Sequence, residues 1–189
     1  MNENNRELEA KIPIRDTASV EAAVIAAGGE CTQPTILERN LRFDDGARSL
    51  SRTHRVLRLR DNGGEYILTY KADKVNESGI ADREEIETTV GSLDQVRLIF
   101  ERLGFRVCFI YEKYRAVYHL NGTDVMLDHT PIGDYVEIEG RGEGEIRSTA
   151  ELLGLDWDSR TARSYHALFL EWKERTGSAA LNMTFGECA

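Results

Sequence analysis

Charged side chains of both signs recur at every second residue on segment after segment of this sequence, and that pattern limits the possible folds more than any other feature. In RELEAKIPI at residues 6–14, Glu7, Glu9 and Lys11 alternate with Leu8, Ala10 and Ile12. An extended chain places successive side chains on opposite faces, so the charges share one face and the apolar groups the other. VLRLRD repeats the arrangement with Arg58 and Arg60 against Leu57 and Leu59, and YILTYK ends on Lys71. DREEIE groups Arg83, Glu85 and Glu87, and EKYRAVY groups Lys113 and Arg115. DVMLDHT sets Asp124 and Asp128 against Val125 and Leu127, and YVEIEG sets Glu137 and Glu139 against Val136 and Ile138. A solvated outer face accounts for any one of these strands. For all of them together the economical solution is a closed sheet whose apolar face meets helices and whose charged face lines a polar interior. This inverts the usual soluble barrel, which is filled with apolar side chains. Buried ion pairs are weak stabilisers at best, so function is the better reason for so many inward charges.

Strand signals fall at about 6–14, 35–44, 55–61, 65–71, 81–90, 106–119, 123–130 and 133–140, with ends good to roughly two to four residues. Helix signals lie between and after them. DTASVEAAVIAAGG has a cap at Asp16 or Thr17 and a stop at Gly28-Gly29, SLDQVRLIFERLGF runs from Ser92 to Gly104, and two more helices are expected near 143–153 and 160–175. DNGG at 61–64, NGT at 121–123 and PIGD at 131–134 read as tight turns. ADKVNESGI at 72–80 reads as a mobile polar loop. The expected fold is therefore α+β, an eight-stranded antiparallel closed barrel with a charged interior and flanking helices. It would form one domain over 1–176, followed by a flexible tail at 177–189 that either stays without structure or plugs one end of the tunnel.

Composition narrows the function by exclusion. The chain has 189 residues and a formal net charge of -9, which disfavours nucleic-acid binding through a basic surface but leaves room for a locally basic pocket. No apolar run is long enough to span a bilayer, and MNENNRELEA is polar throughout, so no membrane and no secretory signal is expected and the cytoplasm is the expected location. Cys31, Cys108 and Cys188 have no paired spacing; Cys31 and Cys108 are expected as small reduced core residues. The four histidines show no metal-ligand spacing. Phe100, Leu103 and Phe105 read as helix-to-strand packing. Trp157, Trp172, Tyr165 and Phe169 are expected to pack the last helices on the barrel or to form a dimer contact, which leaves a homodimer open.

The kinds of charge then point to chemistry. Two E-x-E pairs on separate strands, Glu7/Glu9 and Glu137/Glu139, offer carboxylate oxygens to Mg²⁺ or Mn²⁺, which prefer such ligands. Lys11, Arg58, Arg60, Lys71, Arg83, Lys113 and Arg115 can hold several phosphoryl groups. Acids for metal and bases for phosphates in one cavity suggest a polyphosphate substrate. There is no glycine-rich phosphate loop with its Lys-Ser/Thr, so side chains would form the cradle.

With E-x-E-x-K as Glu7 to Lys11, ERNLRFDD at 38–45, LRLR at 57–60, LTYK at 68–71, REEIE at 83–87, EKYR at 112–115, LDHTPIGDYVEIEG at 127–140 and SYHALF at 164–169 in order, the sequence resembles the CYTH superfamily of triphosphate tunnel metalloenzymes. Within it the chain looks most like the bacterial class IV adenylyl cyclase group. The resemblance spans about residues 6–175. It implies an eight-stranded tunnel that binds a nucleoside triphosphate or another triphosphate with Mg²⁺ or Mn²⁺. It also implies Glu7, Glu9, Glu137 and Glu139 as metal ligands, Asp128 and Glu85 or Glu87 as further acidic contributors, and the seven bases above as the phosphate grip. Catalysis would then rest on Glu7, Glu9, Lys11, Glu137 and Glu139. One departure is Arg42, where many relatives carry an aromatic residue. Its parity groups it with Asn40 and Asp44, and a solvent-facing position is expected.

Two reactions suit such a tunnel. A cyclase would direct the ribose 3′-hydroxyl of ATP at the α-phosphorus and release cyclic AMP and pyrophosphate. A triphosphatase would direct water at inorganic triphosphate, thiamine triphosphate or a nucleoside triphosphate. A non-catalytic polyphosphate or nucleotide sensor is the third class, and it could dispense with the acids that this chain keeps.

Overall fold

The computed structural model describes residues 6–77 and 79–189. Eight antiparallel strands follow the alternation: β1 Arg6–Ile14, β2 Glu30–Asp44, β3 Val56–Asn62, β4 Glu65–Glu77, β5 Ile80–Val90, β6 Arg106–Leu120, β7 Thr123–Thr130 and β8 Gly133–Gly140. They close into a barrel in the order β1-β5-β4-β3-β2-β6-β7-β8, with β8 returning to β1. Five helices flank it: α1 Thr17–Ala26, α2 Ser49–Arg52, α3 Leu93–Arg102, α4 Glu143–Leu152 and α5 Tyr165–Thr176.

Local chemistry sets the ends of these elements. Asp16 caps α1 by accepting from the Ser19 amide, Ser92 caps α3 and Ser164 caps α5. Gly177 ends α5 at φ +70°, a conformation that costs a residue with a Cβ. The β6–β7 hairpin turns through Asn121 and Gly122, both at positive φ, as a two-residue hairpin loop prefers.

The core lies outside the barrel. Ala10, Ile12, Val125, Leu127, Val136 and Ile138 on β1, β7 and β8 pack against Val20 and Val24 of α1 and Ile146 and Ala150 of α4. A second cluster joins Leu41, Phe43 and Leu59 to Val96 and Phe100 of α3, with Phe43 and Phe100 edge to face at 5.1 Å. The barrel is thus held by its outer face, and the inner face is released from packing duty.

Three expectations change on inspection of the chain. Residues 72–80 are not an open loop: β4 continues to Glu77 and pairs back onto β5 through Val75 with Asp82 and Glu77 with Ile80, while Ser78 lies outside the described residues. Cys31 on β2 and Cys108 on β6 are exposed and are not core residues. Leu103 is exposed at the end of α3, whereas Phe100 and Phe105 pack as expected.

The segment 177–189 forms no helix or strand of its own but meets the barrel wall. β7 pairs only with residues 114–120 of β6, so the earlier half of β6 has a free edge there. The Met183 amide donates to the Ile110 carbonyl at 3.0 Å, the Glu112 amide to the Met183 carbonyl at 2.9 Å, and the Ile110 amide to Asn182 Oδ1 at 2.9 Å. Met183 is fully buried beside Phe109, Tyr111, Tyr165 and Phe169, in a cluster at the end of the barrel that α5 covers.

Candidate active site

The inward faces of the eight strands enclose a cavity of about 620 Å³, within the range of small-molecule sites. Most of its wall is charged, with Val56, Ile67, Val117 and Met126 as an aliphatic part. Glu7, Glu9 and Lys11 come from β1, Arg58 and Arg60 from β3, Lys71 from β4, Arg83, Glu85 and Glu87 from β5, Lys113 and Arg115 from β6, and Glu137 and Glu139 from β8. More lysines and arginines than glutamates line it, although the whole chain is acidic. The cavity therefore suits an anion, which the exterior would repel.

These charges form linked networks. Lys11 Nζ stands 2.7 Å from Glu137, which also pairs with Arg115. Arg115 donates through Nε and Nη2 to the two oxygens of Asp128, both at 2.6 Å, and Lys113 donates to Asp128 at 3.1 Å. Asp128 is fully buried and lies behind these bases, not at the cavity wall. The Tyr165 hydroxyl also donates to it, and the same ring sits under Lys11 and Lys113, with the ammonium nitrogens 4.6 and 5.1 Å from its centre. Elsewhere Lys71 bridges Glu7 and Glu85, each at 2.7 Å. Arg58 reaches Glu87 at 3.0 Å, Thr69 at 3.0 Å and the Tyr111 hydroxyl at 3.2 Å, and Arg60 reaches Glu87 at 3.4 Å.

Titration behaviour divides the acids into two groups. Burial alone would raise Glu38, but Lys113, Arg115, Arg60 and Arg58 outweigh it and lower the carboxyl to about 2. Glu7 is likewise pulled to about 2, against burial, chiefly by Lys71. Glu139 moves the other way, to about 7, through burial and then repulsion from Glu7 and Glu9. Burial, followed by a shared hydrogen bond with Glu7, lifts Glu85 to about 9. The β1–β8–β5 side of the tunnel thus carries more carboxylate than its cations neutralise.

A stability profile follows from these directions. A carboxyl lowered by folding stabilises the fold above its unfolded value near 4.5, and that contribution fades as pH falls toward 2. A carboxyl raised by folding favours the fold while protonated, and that contribution is lost as pH climbs from 4.5 through about 7 for Glu139 and about 9 for Glu85. The protein should therefore melt at a lower temperature at pH 8 than at pH 6, and calorimetric scans at the two values check this.

The sequence missed several wall residues. Glu38 is 1% exposed and stands 3.6 Å from Lys113 and 3.8 Å from Arg60; the quoted ERNLRFDD stretch contained it, but no site role was drawn from it. Tyr165, expected only to pack, also donates to Asp128, and Tyr111, for which the sequence suggested no role, holds Arg58 through its hydroxyl. Arg42 is a correction: it does not face solvent but lines the cavity from β2, directly across the strand pair from Arg58. Burial, and after it the like charges of Arg83 and Arg58, depress its guanidinium below the ordinary arginine value. His166 lines the cavity near Arg42, and burial followed by Arg42 and Arg48 pushes its imidazole down to about 4. Among the described residues no three His, Cys, Asp or Glu side chains already stand as a closed ligand set for a metal ion. No helix is long and apolar enough to cross a membrane.

Comparison with known proteins agrees with this geometry. A family model described as CYTH domain matches residues 5–165. A Methanocaldococcus jannaschii protein named "Putative adenylate cyclase" is 28% identical over 134 residues, covering 70% of this chain and 75% of that protein. The solved structure of a Vibrio parahaemolyticus protein, also named as a putative adenylate cyclase, superposes with a TM-score of 0.78 at 18% identity, over 88% of this chain and 98% of that one. A Hippeastrum protein described as a putative adenylyl cyclase with a dominant triphosphatase activity superposes with a TM-score of 0.66 at 20% identity, over 87% and 95% of the two chains.

Proposed function

The chain belongs to the CYTH domain family, and from that membership and the layout of the tunnel we propose that it is a divalent-metal-dependent enzyme acting on a triphosphate, of the class IV adenylyl cyclase type. The observation that carries this reading is the inward set of bases from six strands facing carboxylates in one cavity. Arginine forks grip phosphoryl oxygens two at a time, and a chain of such contacts fixes the phosphorus atoms for in-line attack.

The acids fit a metal. Glu7, Glu9 and Glu139 supply oxygen donors of the kind Mg²⁺ and Mn²⁺ prefer, and the raised Glu139 carboxyl marks negative charge that a cation would relieve. Glu137 is committed to Lys11 and Arg115, so on this reading it aims those two bases. Asp128 similarly anchors Lys113 and Arg115 from behind. A bound divalent ion would lower the pKa of the attacking hydroxyl and neutralise charge on the departing group. In the cyclase reaction the 3′-oxygen of ATP bonds to the α-phosphorus, the bond from that phosphorus to the β-phosphoryl oxygen breaks, and the hydroxyl proton passes to solvent. Arg58, Arg60, Lys71 and Lys113 hold the phosphate chain and offset its growing charge.

A second reading is favoured by one feature: most of the wall is charged and addresses the phosphates, and the apolar part left to meet an attached group is limited to Val56, Ile67, Val117 and Met126 beside the aromatic rings. The same tunnel could then direct water at the phosphate chain, the activity described for the Hippeastrum protein. Product analysis with Mg²⁺ or Mn²⁺ separates the two. Equal amounts of cyclic AMP and pyrophosphate from ATP establish the cyclase. Orthophosphate from ATP, inorganic triphosphate or thiamine triphosphate, with no cyclic AMP, establishes the triphosphatase. Turnover of none of them ends the enzyme reading.

A further inference from the structure

Uncharged residues from neighbouring strands form one arc of the cavity wall: Ile67 on β4, Asn62 on β3, Gln33 on β2, Val117 on β6 and Met126 on β7. Gln33 stands opposite Val117 in the β2–β6 register, and Val117 opposite Met126 in the β6–β7 register. Asn62 Nδ2 donates to Gln33 Oε1 at 3.1 Å, and Ile67 lies across from Arg60, two residues before Asn62 on β3. The arc sits at the end of the tunnel away from α5. Along β6 the inward order Lys113, Arg115, Val117 leads away from the Tyr165 ring, on which the Lys113 ammonium rests. Along β7 Met126 is likewise a step away from Asp128, which accepts from the Tyr165 hydroxyl.

The link between the two amides uses only half of each. Gln33 Nε2 and Asn62 Oδ1 are buried and have no hydrogen-bond partner among the described residues, so one donor and one acceptor are left side by side. Turning both amides over exchanges which residue donates but leaves the same pair of free groups. Unmet polar groups in a shielded place cost free energy that a ligand with matching groups recovers. The terminal amide torsions are broad, so both groups turn toward the cavity with the rest of each side chain unmoved. A ring edge with an amino group beside a ring nitrogen carries the complementary donor and acceptor, and Asn and Gln amides read adenine through such an edge. Ile67, Val117 and Met126 offer apolar contact to the faces of that ring, the Met126 sulfur included. Arg60 and Arg115 are the next inward residues from Asn62 and Val117, about 7 Å along their strands. That interval leaves room for a sugar-sized linker before the first phosphate-holding base.

Resting on the triphosphate reading above, we propose that Gln33 and Asn62 form the subsite that reads the organic group of the substrate, through a heteroaromatic ring edge with an amino group beside a ring nitrogen. Adenine and the aminopyrimidine of thiamine share this edge. The ring lies at the end of the tunnel away from α5, and the phosphate chain extends inward from it toward Lys113 and Lys11. Gln33 and Asn62 touch the ring and not the reacting phosphorus, so they set specificity without forming part of the phosphate grip.

A binding cycle in EDTA, where metal-dependent turnover stops, tests this contact. The ligands are ATP, purine riboside triphosphate, which lacks only the amino group of ATP, thiamine triphosphate and inorganic triphosphate. The wild type should bind ATP about fivefold or more tightly than purine riboside triphosphate, as for one lost hydrogen bond that leaves its partner unmet. In Asn62→Ala that preference should shrink below about twofold, since the acceptor is already gone, while inorganic triphosphate keeps its wild-type affinity. Gln33→Ala should likewise weaken ATP and spare inorganic triphosphate. Unchanged melting temperatures confirm an intact barrel, and either variant carries the test alone if the other is unstable. Losses confined to ATP identify adenine as the ring, and losses confined to thiamine triphosphate identify the aminopyrimidine of thiamine. Variants that bind ATP and thiamine triphosphate as the wild type does, or that weaken inorganic triphosphate equally, would overturn the proposal while the triphosphate reading stands. Failure of the wild type to bind any of these ligands would remove both.

Discussion

Replacing Asp128 with alanine should lower stability by about 3–5 kcal/mol, the usual cost of breaking a buried ion pair from one side. For a chain of this size that corresponds to roughly a 10 °C fall in melting temperature. The carboxylate is fully buried and accepts from Arg115 twice, from Lys113 and from Tyr165. Its removal takes the shared acceptor from two cations and a buried hydroxyl. Arg115 would still have Glu137, but Lys113 would keep only Glu38 at 3.6 Å. Asp128→Asn retains an acceptor of similar shape and should lose less stability than the alanine variant while still disordering the two bases. Thermal unfolding of both variants beside the wild type measures the effect, and equal, small losses would mean that Asp128 does not organise this wall.

The second large effect falls on turnover alone. Glu7→Gln keeps the size of the side chain but removes the charge that Lys71 meets at 2.7 Å and that would help to hold a cation. Removing one group that stabilises developing charge typically costs about 10²–10³ in rate, and loss of metal adds to that, so a fall of at least about 10³ in kcat is expected. Affinity for the phosphate chain in the absence of metal should be unchanged or tighter, because one of the two carboxylates that compete for Lys71 is neutralised while Glu85 remains. Steady-state rates with Mg²⁺ and titrations in EDTA read the two quantities separately. A parallel fall in both would assign Glu7 to binding and not to metal-assisted catalysis.

Alternation made most of this site legible, because each strand that carries it is regular. Glu7, Glu9 and Lys11, or Arg58 and Arg60, can face inward only together, so one charged position fixes its neighbours. β2 obscured the rest. Its register against β6 slips between Cys31 and Gln33, between Gln33 and Ile36 and again between Arg42 and Phe43, and Pro34 interrupts the ladder, so the parity that groups Arg42 with Asn40 and Asp44 does not by itself say which face is inward. Arg42 then looked like any solvated arginine between Leu41 and Phe43, when the apolar pair was in fact the outward face against α3. Asp128 was read correctly as inward but not as lying behind Lys113 and Arg115, since depth depends on which longer side chains cover it from β6. The docking of Met183 was hidden for another reason. It uses backbone groups on an edge that β7 is too short to cover, and no side-chain period records that.

The measurement that bears most directly on the whole account is an isothermal titration of inorganic triphosphate into the metal-free protein, repeated with orthophosphate and with Arg58→Gln. A tunnel built for a phosphate chain should bind one triphosphate per chain and orthophosphate at least about 100-fold more weakly, since each phosphoryl group adds charge-assisted contacts. Arg58→Gln should weaken triphosphate about tenfold or more. Saturable binding of triphosphate that survives Arg58→Gln unchanged, or no binding at all, would mean that the charged interior serves something other than a triphosphate.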